Sequence, residues 1–173
     1  MQVFISWSGT RSKQLARAIS IWVRTAVQAS RPWLSEIDIE KGERWNAAVS
    51  SRLEESHIGI VCLTPENLTA PWIHFEAGAL AKTGNSRVCV ILFEVDPNDV
   101  PDTLTQFQYT TISEEDFARL AETINKVAER AGEPVALDDV IRRASAAAWS
   151  EFQAQVQQLA RSPVQRNFAI GGN

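Results

Sequence analysis

The segment Pro71-Trp72-Ile73-His74-Phe75-Glu76-Ala77-Gly78-Ala79-Leu80-Ala81 sets a single carboxylate among apolar and small residues. Pro71 favours the opening turn of a helix, which the pattern predicts over residues 71–82, with Gly84 and Asn85 ending it. On that helix Trp72 and Glu76 are four residues apart and share a face, next to Ala79 and Leu80. A helical glutamate is ordinarily a solvated surface group. Here Phe75, Ala77, Gly78 and Ala79 leave no polar face for it to belong to. A carboxylate without a partner in such surroundings is costly unless a pocket or a ligand accounts for it. Glu76 is therefore the first candidate for a functional site, with Trp72 in register beside it.

Several familiar chemistries lack their parts. There is no Gly-x-Gly-x-x-Gly after the first strand-like run, no phosphate-cradling Gly-x-x-x-x-Gly-Lys and no His-Glu-x-x-His, which argues against dinucleotide-fold redox, P-loop hydrolysis and zinc-peptidase chemistry. A response-regulator receiver needs acidic residues where this chain has Ser6-Trp7-Ser8. His57 and His74 have no nucleophile motif near them and read as surface or strand-edge residues. Cys62 and Cys89 each sit inside an apolar run and read as small core thiols, with no disulfide framework and no paired-cysteine metal site.

The elements that must position Glu76 follow from the hydrophobic pattern. Val3-Phe4-Ile5-Ser6-Trp7 is a short strand, followed by a helix over residues 11–29 whose Leu15, Ile19, Trp22, Val23, Ala26 and Val27 form one stripe. A weak second strand spans 31–35, and the charged connection 36–45 leads to a helix over 46–56 with Trp45, Val49 and Leu53 on one face. Further strands are expected at 58–64, 88–93 and 107–112. Ser113 caps a helix carrying Phe117, Leu120, Ile124 and Val127, and Gly132-Glu133-Pro134 breaks the chain. A last helix over 138–161 carries Trp149, Phe152, Val156 and Leu159 at helical spacing.

Strands alternating with helices imply an α/β fold: a flavodoxin-like, five-stranded parallel sheet with helices on both faces and an extra C-terminal helix. The domain should span 1–135, with residues 136–162 packed on it or used in assembly, and 163–173 forming a tail. Ligands in such folds sit outside the carboxyl ends of the strands, so the loops starting at Ser6, Ser35 and Thr64 are where chemistry is expected.

At 173 residues, with 45% hydrophobic and 22% charged residues, the chain fits one globular domain. Its net charge of -4 and lack of a basic run give no pull toward nucleic acid or anionic membrane. It starts directly on a strand-like run, without a signal peptide or a membrane-spanning stretch, and the cytoplasm is the expected compartment.

Three of these segments together resemble a known family. Val3-Phe4-Ile5-Ser6 resembles the first box of Toll/interleukin-1 receptor (TIR) domains, residues 33–45 resemble the strand and BB loop, and Trp72-Ile73-His74-Phe75-Glu76 resembles the Trp-x-x-x-Glu of catalytic TIR domains. The resemblance covers about residues 1–130 and is to the NAD-cleaving type found in bacterial anti-phage defence. Two features depart from the broader pattern: Ser6-Trp7-Ser8, where many members continue into acidic residues, and the helix after Asp138.

The resemblance implies that Glu76 is the catalytic carboxylate of an NAD glycohydrolase or cyclase. Glycosidic cleavage normally calls for two carboxylates, but the nicotinamide of NAD is already a cationic pyridinium and departs without a proton. One carboxylate beside the ribose then suffices to stabilise the developing positive charge. Trp7, Trp33, Trp45 and Trp72 are candidates for stacking on nicotinamide or adenine, against a core-packing role for each. Ser6, Ser8 and Gly9 lie where a first loop binds pyrophosphate or ribose; Lys41 and Arg44 either meet phosphate or belong to a solvated loop face, and Asp38 either contacts a ribose or shapes the loop that touches a neighbouring subunit. NAD is then substrate, with no cofactor and no metal. Self-association through residues 36–45 and the C-terminal helix is expected, as is a separate sensor or product-reading effector protein. The competing readings are a non-enzymatic TIR interaction module and a nucleoside deoxyribosyltransferase-like enzyme.

Overall fold

Residues 1–34, 55–71, 73 and 87–161 are described by a computed structural model. The strands are β1 (Gln2–Ser6), β2 (Arg31–Leu34), β3 (Ile58–Leu63), β4 (Arg87–Leu92) and β5 (Gln108–Thr111), and they form one sheet in the order β2-β1-β3-β4-β5. Every pairing is parallel, with Phe4 opposite Trp33 and Ile60 opposite Cys89 in the register. The central strand β3 is buried at all six positions, whereas the edge strands β2 and β5 are four residues long and partly exposed. Continuous apolar runs in the centre are what a sheet covered on both faces requires.

Side-chain alternation divides the sheet into two apolar faces. Val3, Ile5, Ile58, Ile60, Cys62, Cys89 and Ile91 meet α1 (Thr10–Ala26), α2 (Glu114–Arg130) and α3 (Asp138–Arg161) in the larger core. On the other face Phe4, Val61, Leu63, Val88, Val90 and Leu92 pack with Ile73, Val100 and Leu104. All three described helices thus lie on the first face. The helices expected over 46–56 and 71–82, which would cover the second, and the tail 163–173 lie outside the described residues, except for Glu55, Ser56, Pro71 and Ile73.

The helix expected over 11–29 ends at Ala26, three residues early. Val27 turns to extended backbone, and the Ser30 hydroxyl donates to the carbonyls of Val27 (2.6 Å) and Val23 (3.2 Å). The chain is thereby redirected, and the Arg31 amide donates to the Met1 carbonyl at 2.8 Å to start β2 beside β1. At its own C-terminus α2 closes with Gly132 at φ 76°, its amide on the Glu129 carbonyl and the Glu133 amide on the Ala128 carbonyl, both at 3.0 Å. This left-handed cap needs glycine's freedom, and Pro134 then prevents continuation.

The first turn of α2 carries its own electrostatic support. Ser113 accepts from the Asp116 amide at 3.3 Å, while the Asp116 carboxylate accepts from the Thr111 amide at 3.0 Å and from the Thr111 hydroxyl. The Thr111 hydroxyl leads in holding the Asp116 carboxyl below the usual aspartate range. Asp116→Ala should cost about 1 kcal/mol near neutral pH, read as a lower denaturant midpoint. Because the native pKa is depressed, the contribution is present above the unfolded value of about 3.9 and is lost as pH falls through the lower folded value. The gap between wild type and variant should therefore close in acid; a gap that persists there would mean the carboxylate charge is irrelevant.

Both cysteines are buried, and desolvation pushes the Cys89 thiol up to about 11 against a weaker pull from Arg87. A thiol-reactive reagent near pH 8 should modify neither residue in the native protein and both after denaturation. Rapid native labelling of Cys89 would contradict this burial.

Candidate functional site

Beside β1 the sheet order turns, with β2 on one flank and β3 on the other. The crevice between the carboxyl ends of β1 and β3 is the topological switch point where such sheets hold ligands. β1 delivers Ser6 to this edge, and Trp7-Ser8-Gly9 turns the chain into α1. Gly9 sits at φ 86° and its carbonyl accepts from the Lys13 amide at 2.9 Å. A Cβ there would meet nothing within 4 Å, so it is the backbone angle and not space that calls for glycine.

The loop after β3 closes onto this turn through buried polar groups. Asn67, only 2% exposed, donates from Nδ2 to the carbonyls of Ser8 (3.2 Å) and Cys62 (3.0 Å) and accepts the Thr64 amide on Oδ1 at 2.8 Å. Ser12 Oγ donates to the Cys62 carbonyl at 2.9 Å and accepts the Ser8 amide at 3.3 Å. Two side chains, Asn67 and Ser12, therefore link the turn after β1 to the carboxyl end of β3. Ser6, at the carboxyl end of β1, is fully buried, and its Oγ has no hydrogen-bond partner among the described residues.

Arg11, in the first turn of α1, is 7% exposed and its guanidinium meets two carboxylates, Glu66 from the loop after β3 at 2.5 Å and Glu94 from the end of β4. The Phe93 ring lies beneath the guanidinium, 5.2 Å from its carbon to the ring centroid. Burial by itself would raise the Glu66 carboxyl, but the hydrogen bond from Arg11 leads the opposing effects, and the net shift is downward. The Arg11 guanidinium is correspondingly held above its ordinary value: burial opposes its charge, and the two glutamates outweigh that penalty.

Among the residues singled out in the sequence, Ser6, Ser8 and Gly9 are brought together at this edge. The Trp7 ring is 5% exposed within the larger core, with the Lys13 ammonium 4.8 Å from its centroid. Trp33 on β2 is half-buried against Phe4, ring centroids 5.2 Å apart, on the opposite face of the sheet from Trp7. Core packing is thus the role visible for both rings. Asp38, Lys41, Arg44, Trp45, Trp72, His74 and Glu76 lie outside the described residues. His57 is exposed just before β3.

Arg11, Glu66, Asn67 and Glu94 were not singled out by residue type. One signal was available for Arg11: a cation in the first turn of a helix opposes the helix dipole, and α1 has no acidic residue there to offset it. Such a placement implies anions from elsewhere in the fold. Nothing in the sequence marks Asn67, whose partners are backbone groups of the turn after β1, of β3 and of its own loop.

A five-stranded parallel sheet of this order, with its polar cluster at the β1/β3 switch point, defines a flavodoxin-like α/β domain. A model of the TIR domain family matches residues 3–125, most of the chain, and the protein belongs to that family. The match ends within α2, so α3 lies beyond it. No curated protein matches the chain. Among solved structures it is similar to the TIR domains of the activated Roq1 resistosome directly recognizing the pathogen effector XopQ, at 11% identity and TM-score 0.47 over 92% of this chain and 96% of that one. Among the described residues no helix is long and apolar enough to cross a membrane.

Proposed function

We propose that this TIR domain cleaves NAD at the nicotinamide-ribose bond, with Glu76 as its catalytic carboxylate. Membership of the TIR family carries the reading, and it is supported by the one glutamate spaced four residues from Trp72 in an apolar stretch of sequence. The carboxylate holds the ribose hydroxyls and stabilises the oxocarbenium charge as neutral nicotinamide leaves, an interaction stronger in the transition state than in the ground state. Water captures the cation to give ADP-ribose, or the substrate's own adenine or ribose captures it to give a cyclic isomer.

Ser6, Ser8 and Gly9 serve the ribose or pyrophosphate in this proposal, Trp72 stacks on a substrate ring, and Asp38, Lys41, Arg44 and Trp45 act from the BB-like segment. That segment, residues 36–45, also joins copies of the chain. Infection sensing or product reading in anti-phage immunity is supplied by a separate protein.

Nicotinamide release from NAD by the purified protein, with the co-product identified by mass spectrometry, tests the reading. The assay is run on the free protein and again under crowding or forced oligomerisation, because a site completed by a second copy is silent in the monomer. Nicotinamide accompanied by ADP-ribose or a cyclic isomer is expected. NAD left intact in every format would overturn the reading in favour of an interaction module, and release of free base from deoxynucleosides alone would favour the deoxyribosyltransferase-like chemistry.

A further inference from the structure

The ion cluster around the buried Arg11 at the carboxyl edge is more elaborate than neutralising that residue requires. A single carboxylate would balance the guanidinium, yet two converge on it from different loops, one on Nη1 and one on Nη2. Glu94 reaches it from φ 55°, the only positive φ among the described non-glycine residues. A side chain in that region is strained and persists where surrounding contacts over-determine it. The ion pair with Arg11, the Phe93 ring under the guanidinium and the Phe93 amide on the Leu63 carbonyl at 3.0 Å hold this corner. At the other arm, Glu66 lies in residues 64–71, the stretch that leaves β3 and leads through Pro71 into the segment bearing Glu76.

We propose that Arg11 is a positioning residue: one guanidinium fork ties the loops after β3 and β4 to the first turn of α1 and so sets the course of residues 64–71, which lead in sequence to Glu76. The tie is a fork because its two anchors are separate loops. A lysine ammonium has no rigid planar fork with which to hold both in one geometry. The base of the β3 loop has independent support from Asn67, which binds the Ser8 and Cys62 carbonyls and the Thr64 amide, and from the Ala70 amide on the Asn67 carbonyl at 3.0 Å. Loss of Arg11 therefore loosens two loops without dismantling the sheet. With the cation gone, Glu66 and Glu94 also repel each other, which drives those loops apart.

The bracing can be measured without reference to catalysis; the catalytic half of the proposal rests on the NAD-cleaving reading. Hydrogen exchange of the full chain is compared for wild type, Arg11→Met, Arg11→Lys, Glu66→Gln and Glu94→Gln. In Arg11→Met, amides of residues 66–70 and 93–96 should exchange roughly tenfold faster or more while β1, β3 and β4 keep their protection. Arg11→Lys should fall between, and each glutamine variant should loosen chiefly its own loop. Unchanged loop exchange in Arg11→Met overturns the proposal, as does a uniform loss of protection across the sheet in the two glutamine variants, which would make the cluster a general stability element. If Arg11→Met does not fold, the glutamine variants decide by the same criterion. In the NAD assay, misplacing the carboxylate should lower kcat by about 10- to 100-fold with a smaller change in KM, and Arg11→Lys should recover part of it. A fall confined to KM overturns the positioning role. Were wild type inactive on NAD in every format, the NAD reading would fail while the exchange data still decided the brace.

Discussion

Glu76→Gln should abolish nicotinamide release while leaving the fold intact. Glutamine preserves the shape of the side chain and removes only the negative charge, so the loss falls on the step in which positive charge develops on the ribose. Removing one preorganised electrostatic contact of this kind costs roughly 10²–10³-fold in kcat. A carboxylate that is the principal counter-charge should lie at or above the upper end of that range. The signature is a fall in kcat with KM little changed, because the interaction is made chiefly in the transition state. The unfolding midpoint should hold or rise, since an apolar segment loses a charge that was costly to place there. Turnover by the variant at the wild-type rate, under conditions where wild type is active, would remove Glu76 from the chemistry.

The largest loss of stability should follow from damage to the aromatic cluster that joins the three described helices. Phe117 of α2 is fully buried, with ring centroids 4.7 Å from Trp22 of α1 and 4.6 Å and 5.3 Å from Phe152 and Trp149 of α3. Phe117→Ala should destabilise by about 3–5 kcal/mol, from lost transfer energy together with the cavity left among three aromatic neighbours. That is a large part of the roughly 5–15 kcal/mol by which a domain is stable, and it should lower the midpoint of denaturant unfolding steeply. Deleting α3 should be worse. It removes Ile141, Trp149, Phe152, Val156 and Leu159 from the core and bares the rings of Trp22 and Phe117 to water. A chain cut at residue 137 should fail to fold or should aggregate, although the family match ends at residue 125. If that shortened chain unfolded at the wild-type midpoint, α3 would be an accessory helix and not part of the core.

The surroundings of Phe117 were largely legible in the sequence. The stripe Phe117, Leu120, Ile124, Val127 and the spacing of Trp149, Phe152, Val156 and Leu159 are local periodicities, and a 3.6-residue period reads directly as a buried helical face. The apolar runs of β3 and β4 likewise identify central strands, because only strands buried on both sides dispense with polar alternation. Element ends were less legible. The expected helix over 11–29 overran by three residues because its stop is made by the Ser30 hydroxyl and the pairing of Arg31 with Met1, contacts that exist only once β2 lies beside β1.

Sequence alone determined the α/β class, the α2 cap and glycine stop, and the buried thiols. Those properties depend on neighbours within a few positions, so the order of residues contains them. Tertiary structure decided that Trp7 faces the core, that α3 is bound into it through Phe117, and that Arg11, Glu66, Asn67 and Glu94 meet at the carboxyl edge. Arg11 is 55 residues from Glu66 and 83 from Glu94. No local period spans such separations; their proximity follows from parallel strand pairing, which brings the ends of β1, β3 and β4 to one edge of the sheet, where charges from separate loops can share a single guanidinium.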